Sequence, residues 1–148
     1  MKYAFKKFTP GKIECRGEIA SRMNLTKEKI LRHMNIDHDF LLPFQERKTK
    51  EHGAFIGYGM LLDAAVKAAA DRTIGLEMFP FKETRIAELI STQKTNGSIS
   101  IFPEGDEGTW DNHEQAYIII AFVNDFRLHG RQESLRAAIK LGQYMMQR

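Results

Sequence analysis

Apolar residues recur at helical spacing along most of this chain. Stripes with a period of about 3.6 residues run through its longer segments. They predict helices over residues 54–71, 81–95, 112–129 and 133–146. A shorter helix is expected to begin near Thr26, which can cap its first turn, after an irregular stretch over residues 1–20. The pattern therefore predicts an all-α protein that forms one helical domain over residues 1–148.

Prolines and glycines set the expected boundaries of these helices. Pro43 disfavours helix at the residue before it, so residues 37–44 are predicted to form a loop with apolar anchors. Pro80 is expected to mark the start of the helix that follows it. Gly57 and Gly59 weaken their own helix by roughly 1 kcal/mol each relative to alanine. That cost indicates that another backbone or a ligand packs closely against them.

A long loop joins two helix pairs, one over residues 54–94 and the other over residues 113–147. Asn96 and Gly97 predict a tight turn at its start. The polar and apolar residues that follow alternate, which predicts a short β segment within the 96–112 loop. The same loop carries most of the side chains with plausible site chemistry.

Residues 117–123, in the middle of the helix predicted over residues 112–129, are apolar on every side. Length and polar flanks favour a helix here over a buried strand, and such a helix is expected to be buried all round. With the last helix, it carries more apolar surface than five helices readily cover. We therefore expect a homo-oligomer, in particular a homodimer, or further sequence that completes a larger ring of hairpins.

Composition narrows the class of partner. The chain has 148 residues and a net charge of +3, which is too small and too scattered to indicate a nucleic-acid partner. No apolar run approaches the roughly 20 residues that span a bilayer, so no membrane partner is expected. The single cysteine, Cys15, has no partner for an internal disulfide and no neighbour at metal-ligand spacing. It favours the cytoplasm over the periplasm, and no metal site is expected in this chain.

His113 is the first candidate for a functional residue. The positive end of a helix dipole keeps an imidazole neutral, so that it can hydrogen-bond a sugar hydroxyl, or it can simply bond to nearby backbone. Trp110 can stack against a sugar ring or anchor the loop over the core. Glu114 can act as a general acid with a partner carboxylate such as Asp111, or it can only favour the helix dipole.

Three segments carry a recognisable pattern in sequence order, namely GAFIGYGMLLDAA (53–65), LISTQKTNGSI (89–99) and HEQAY (113–117). Together they resemble the β-L-arabinofuranosidase-like glycoside hydrolases, an (α/α)6-barrel family. The resemblance covers roughly residues 20–147 and only the N-terminal part of the longer family domain. Asn96, Ser98 and Gln115 stand where the family usually has Asp, Tyr and Leu, so the contacts to sugar are expected to differ in detail.

The resemblance implies an N-terminal arc of the barrel in which one histidine, His113, contacts substrate. It adds Gln93, which matches the glutamine of a family motif, to the candidates. The expected substrate-binding set is His113, Glu114, Trp110, Asp111 and Gln93. The family's nucleophile is a zinc-bound cysteine with glutamate partners in a downstream segment. Cys15 lies upstream, so no cofactor is expected in this chain, and its catalytic residues stay unassigned.

Together, these observations predict that the chain is a carbohydrate-active protein related to glycoside hydrolases and that its partner is a carbohydrate ligand. A complete enzyme would perform retaining hydrolysis, whereas this chain alone is expected to show little or no turnover. The alternative is a non-catalytic helical interaction or scaffold module that self-associates. An enzyme of another sugar-processing family on the same helical toroid is a third reading.

Overall fold

The computed structural model describes residues 14–31, 33–50, 54–106 and 108–147. The prediction of irregular structure over residues 1–13 lies outside them. The described part contains six α-helices and no strand, which confirms the all-α class. The helices are α1 (Gly17–Thr26), α2 (Leu42–Glu46), α3 (Tyr58–Ala69), α4 (Gly75–Ser91), α5 (Thr109–His129) and α6 (Gln132–Met146). Two π-helical segments, Lys27–Leu31 and Asp37–Leu41, continue α1 and precede α2.

The N-terminal predictions were wrong in two places. Helix α1 ends at Thr26 instead of beginning there, and it starts at Gly17. The predicted loop over residues 37–44 is helical, because Pro43 occupies the first turn of α2. A proline there costs no hydrogen bond, since the first N–H groups of a helix have no partner within it.

The start of α4 also differs from the prediction. The helix begins at Gly75, so Pro80 lies inside it and does not mark its start. A turn held by Asp71 leads into this earlier start, because its Oδ1 accepts hydrogen bonds from the backbone N–H groups of Thr73 (2.7 Å) and Ile74 (3.3 Å). The later helices, α5 and α6, begin and end within three residues of the predicted bounds.

Helices α3 and α5 form the centre of the fold, with α4 packed against α3 and α6 packed against α5. Gly59 makes the central contact possible. A Cβ atom at this position would lie 2.5 Å from the backbone nitrogen of Ile118, closer than van der Waals contact allows. The close approach of the α5 backbone therefore accounts for Gly59. It is one of the two explanations that the sequence had left open, the other being a ligand. Gly57 serves differently, since its φ of 79° is left-handed and turns the chain into α3.

This contact leads to a prediction of opposite effects at two helical glycines. Gly59→Ala is expected to destabilise the protein by about 1–3 kcal/mol, because the added methyl forces α3 and α5 apart. Gly142→Ala in α6 is expected to stabilise it by about 0.5–1 kcal/mol, since the nearest heavy atom to its Cβ is 4.0 Å away and alanine favours helix. Urea unfolding of both variants measures the difference. Equal destabilisation by the two would contradict the close approach at Gly59.

The predicted β segment does not form. Residues 98–102 are all buried in the core, but they form no strand, and the backbone bends at Ile101 and Phe102. Side chains satisfy much of their backbone instead. Arg47 donates from Nη2 to the carbonyl of Ser98 (3.2 Å), and Gln115 donates from Nε2 to the carbonyl of Ile99 (3.1 Å). The alternation was misleading, because both serines of the segment are buried with its apolar residues.

An ion pair lies in the interior between α4 and α5. Lys82 donates from Nζ to Asp125 Oδ1 (2.6 Å), and neither side chain is exposed. Ser134 at the start of α6 donates from Oγ to Asp125 Oδ2 (2.5 Å). Glu83 also contacts the ammonium group. Three helices are thus tied together through one carboxylate, and nothing in the sequence pattern had indicated it.

The apolar middle of α5 is helical, as predicted, but it is not buried all round. Ile118, Ala121 and Phe122 face the core, whereas Ile120 on the opposite side is 44% exposed. A four-helix arrangement of this kind covers only one side of α5, so the side opposite the core stays in contact with solvent.

Candidate functional site

Four ring side chains meet at the N-terminal end of α5, and we call them the aromatic ledge (Phe55, Trp110, His113 and Tyr117). Three of them follow the helical repeat along α5, and Phe55 comes from the segment that leads into α3. His113 lies at the centre, with ring centroids 4.9 Å from Phe55, 5.4 Å from Trp110 and 5.1 Å from Tyr117. The structure therefore brings the two ring candidates, Trp110 and His113, into direct contact.

Two of the four rings of the aromatic ledge are exposed to solvent. Trp110 is 46% exposed and His113 is also exposed, whereas Phe55 and Tyr117 are partly buried. The His113 ring stands edge-on to both Trp110 and Tyr117, at interplanar angles of 87° and 82°. In such a contact the edge of one ring meets one face of the other, so it occupies at most one face of the indole or phenol ring. Because α5 begins at Thr109, His113 falls in the second turn and not at the first, where the helix dipole acts most strongly.

Glu114 points away from the aromatic ledge and into the protein. Its carboxylate is 1% exposed and accepts three backbone hydrogen bonds, from Ile56 (3.1 Å) and Gly57 (2.7 Å) at Oε2 and from Gly59 (2.9 Å) at Oε1. A carboxylate at this place satisfies donors that α3 cannot pair within its own first turn. Glu114 therefore has a structural role, because it links α5 to the start of α3.

Asp111 is buried too, at 1% exposure. Its Oδ2 accepts a hydrogen bond from Gln115 Nε2 (2.9 Å), and the same amide donates to the carbonyl of Ile99. The two residues stand four apart on the inward side of α5. They connect the start of α5 to the buried segment over residues 98–102 and do not line the aromatic ledge.

Gln93, the candidate added by the resemblance, joins the end of α4 to α6. Its Nε2 donates to the carbonyls of Gly97 and Ala137, both at 3.0 Å. Gly97 itself packs on α6, because a Cβ there would lie 2.5 Å from the carbonyl oxygen of Lys140. The amide of Gln93 is therefore occupied by the backbone around this turn.

Of the five predicted site residues, the structure places Trp110 and His113 on the surface, buries Asp111 and Glu114, and leaves Gln93 partly buried. Two members of the aromatic ledge were missed. Tyr117 could have been found, since it lies seven positions after Trp110 and four after His113 on the same helical face. Phe55 gave no such signal, because only the packing of α3 against α5 brings it there.

No group of three or more His, Cys, Asp or Glu residues in the described part of the chain is arranged to hold a metal ion. Within the same ranges, none of the helices combines the length and the apolar character needed to cross a membrane.

The chain was compared with known proteins at three levels. No protein-family model, no curated protein and no solved structure matches it.

Proposed function

We propose that this chain binds carbohydrate at the aromatic ledge, as a glycoside-hydrolase-related protein that has little or no hydrolytic activity by itself. The observation that carries the proposal is the ring cluster of Trp110, His113 and Tyr117, in which Trp110 and His113 are exposed to solvent. The resemblance to β-L-arabinofuranosidase-like enzymes suggests a furanoside or a short oligosaccharide as the ligand.

The dimensions of the aromatic ledge suit one or two sugar rings. Trp110 and Tyr117 are seven residues apart, which is about 10 Å along a helix. A sugar ring presents C–H groups on one face, and these favour the electron-rich face of an indole. The imidazole of His113 supplies a ring nitrogen between the two aromatic residues, where a hydroxyl can donate or accept a hydrogen bond.

The proposal of binding without turnover rests on the burial of the nearby carboxylates. A glycosidase of the usual kind needs two carboxyl groups that flank the scissile bond and reach the substrate. Asp111 and Glu114 are the described carboxylates adjacent to the aromatic ledge in sequence on α5, and both are buried and hydrogen-bonded. Neither is placed to transfer a proton to a ligand that rests on Trp110.

The test is a titration with methyl L-arabinofuranosides and short arabino-oligosaccharides. Trp110 is the one tryptophan, so the fluorescence and the indole N–H signal of the protein report on the aromatic ledge directly. We expect saturable changes in both, and Trp110→Ala is expected to abolish the saturable shifts at His113 and Tyr117. Stacking on one aromatic side chain is worth about 1–3 kcal/mol, which corresponds to a loss in affinity of about five-fold to about 150-fold.

Phe79→Ala is the matched control, because Phe79 is exposed to a similar extent (43%) and contacts His129 at the other end of α5. It should leave sugar binding unchanged. If the sugars shift no signal of Trp110 or His113 in the folded protein, carbohydrate binding at the aromatic ledge is excluded for this chain.

Self-association is the second candidate function, and exposed apolar side chains favour it. Ile120 on α5 and Ile139 and Met146 on α6 are all substantially exposed. Such side chains form the contacts of helical interfaces when they lie on one patch. Sedimentation equilibrium distinguishes the candidates: a stable dimer that is indifferent to sugar favours self-association, whereas a monomer at micromolar concentration with saturable sugar shifts favours carbohydrate binding.

A further inference from the structure

Asn96 and Gly97 form a tight turn between α4 and the buried segment over residues 98–102. Asn96 is exposed, whereas Gly97 is buried and has a φ of 94°, which favours glycine. The chain has five asparagines, and Asn96 is the one that a glycine follows; the others precede Leu25, Ile36, His113 and Asp125. The proposed carbohydrate site makes no use of this dipeptide.

An asparagine that precedes a glycine is chemically reactive. The backbone nitrogen of the glycine attacks Cγ of the asparagine, and the new N–Cγ bond closes a succinimide ring. The Cγ–Nδ2 bond breaks, and Nδ2 leaves as ammonia with the proton of the glycine nitrogen. Water then opens the ring at either carbonyl and leaves aspartate or isoaspartate, so that no oxidant or reductant is needed. Glycine allows the attack because no Cβ hinders it and its backbone rotates freely.

Hydrogen bonds hold both reacting groups in the folded chain. The side-chain amide of Asn96 accepts at Oδ1 from the N–H of Ser98 (3.0 Å) and donates from Nδ2 to Glu104 Oε1 (3.3 Å). The N–H of Gly97, whose proton must leave for the attack, donates to the carbonyl of Lys94 (2.9 Å). The electrophile and the nucleophile are thus both engaged elsewhere.

Packing fixes Gly97 as well. Its carbonyl accepts a hydrogen bond from Gln93 Nε2 (3.0 Å). A Cβ atom at Gly97 would lie 2.5 Å from the carbonyl oxygen of Lys140, so the backbone of the turn lies directly on α6. The nitrogen of Gly97 therefore reaches Cγ of Asn96 only when the turn opens locally.

Neither product fits the closed turn. Aspartate places a carboxylate oxygen where Nδ2 of Asn96 faces Glu104, so that two like charges meet at the distance of the present hydrogen bond. Isoaspartate carries the main chain through the side-chain carbons and lengthens it by one atom. That extra atom displaces Gly97, which has no free space on the side of Lys140.

We propose that Asn96 is a site of spontaneous deamidation, that the closed turn slows the reaction, and that the product keeps the turn open. The modification acts in one direction, because the altered residue no longer makes the contacts that protected it. It is independent of carbohydrate binding, since Asn96, Gly97 and Glu104 are not part of the aromatic ledge.

The first experiment keeps the full chain in mildly alkaline buffer at physiological temperature and follows each asparagine by peptide mapping with mass spectrometry. Asn96 is expected to convert faster than Asn24 and Asn112, which are also exposed but precede larger residues. The same chain unfolded in urea should convert Asn96 faster still, because no opening step is then required.

Two variants test the protection by the turn. Glu104→Ala removes the acceptor of Nδ2 and should speed conversion of Asn96 about two- to ten-fold, the effect of one hydrogen bond on the opening equilibrium. Glu18→Ala removes an exposed carboxylate on α1 and is the matched control, which should change the rate less than about two-fold. Circular dichroism confirms that both variants are folded.

The second experiment examines the product by hydrogen exchange. The amides of Gly97 and Ser98 should exchange faster in Asn96→Asp than in the parent protein. Addition of Glu104→Gln should restore their protection, because the glutamine amide donates to the new carboxylate and removes the like charge.

Each part of the proposal has a result that overturns it. A folded chain in which Asn96 does not convert, or converts no faster than Asn112, would refute the modification site. Equal rates in the folded and the unfolded chain, or in the parent and Glu104→Ala, would refute the protection by the turn. Exchange of Gly97 at the parent rate in Asn96→Asp would refute the opening by the product.

Discussion

Replacing Lys82 with methionine is expected to lower the free energy of unfolding by about 3–5 kcal/mol. The substitution preserves the length and apolar stem of the side chain but removes the ammonium group from Asp125, which has no exposure to water. A buried carboxylate without its cation is strongly unfavourable, and the hydrogen bond from Ser134 neutralises none of its charge. Urea unfolding followed by circular dichroism measures the loss.

Two further variants make this result specific. Arg136→Met removes the cation of an ion pair with Glu133 in which both side chains are more than half exposed, and it should leave the stability almost unchanged. The double variant Lys82→Met and Asp125→Leu should be more stable than Lys82→Met alone, because it leaves no charge buried without a partner. A single Lys82→Met variant with the stability of Arg136→Met would refute the buried pair.

Glu114→Ala is expected to destabilise the protein by about 3 kcal/mol or more. The change leaves the N–H groups of Ile56, Gly57 and Gly59 without their acceptor, at the point where α3 packs closely against α5. Hydrogen bonds to a charged acceptor are stronger than those between neutral groups. The loss of three of them therefore contributes more to the destabilisation than the small loss of side-chain packing. Thermal or urea unfolding gives the size of the effect.

Hydrogen exchange locates this effect in the molecule. The amides of Ile56, Gly57 and Gly59 should exchange faster in Glu114→Ala than in the parent protein, by more than the global loss of stability accounts for. Glu133→Ala, at an exposed position in the first turn of α6, should leave those three amides unchanged. Unchanged exchange at Gly57 in Glu114→Ala would contradict the assigned hydrogen bonds.

Glu114 also connects the fold to the proposed site. Phe55 immediately precedes the segment that this carboxylate holds, and its ring packs 4.9 Å from that of His113. If the aromatic ledge binds sugar, Glu114 acts on it as a positioning residue and not by contact with the ligand. The sequence had left open a general acid or a residue that only favours the helix dipole at this position, and the geometry favours an anchor.

Local rules were sufficient where a helix is long and has one clear apolar side. The residues of α6 repeat their apolar positions over four turns, and its bounds were predicted closely. Local rules were insufficient where a local signal competes with an interaction from outside the segment that carries the signal. Pro80 suggested a helix start, but α4 begins at Gly75, after a turn in which the side chain of Asp71 bonds the backbone of Thr73. Likewise, the alternation over residues 98–102 suggested a strand, whereas Arg47 and Gln115 hold that segment in the core.

The sequence by itself determined the helical class and the long helices α5 and α6, because each depends on periodicity within a single segment, whereas the placement of Trp110 inside α5, on the same face as His113, appeared only in the structure. Only the tertiary structure decided which polar residues turn inward and which partners they meet. Lys82 and Asp125 are 43 positions apart, and Glu114 reaches amides more than 50 positions away. Such pairings arise from the packing of whole helices against one another, and that packing is a property of the assembled core and not of any one stretch of chain.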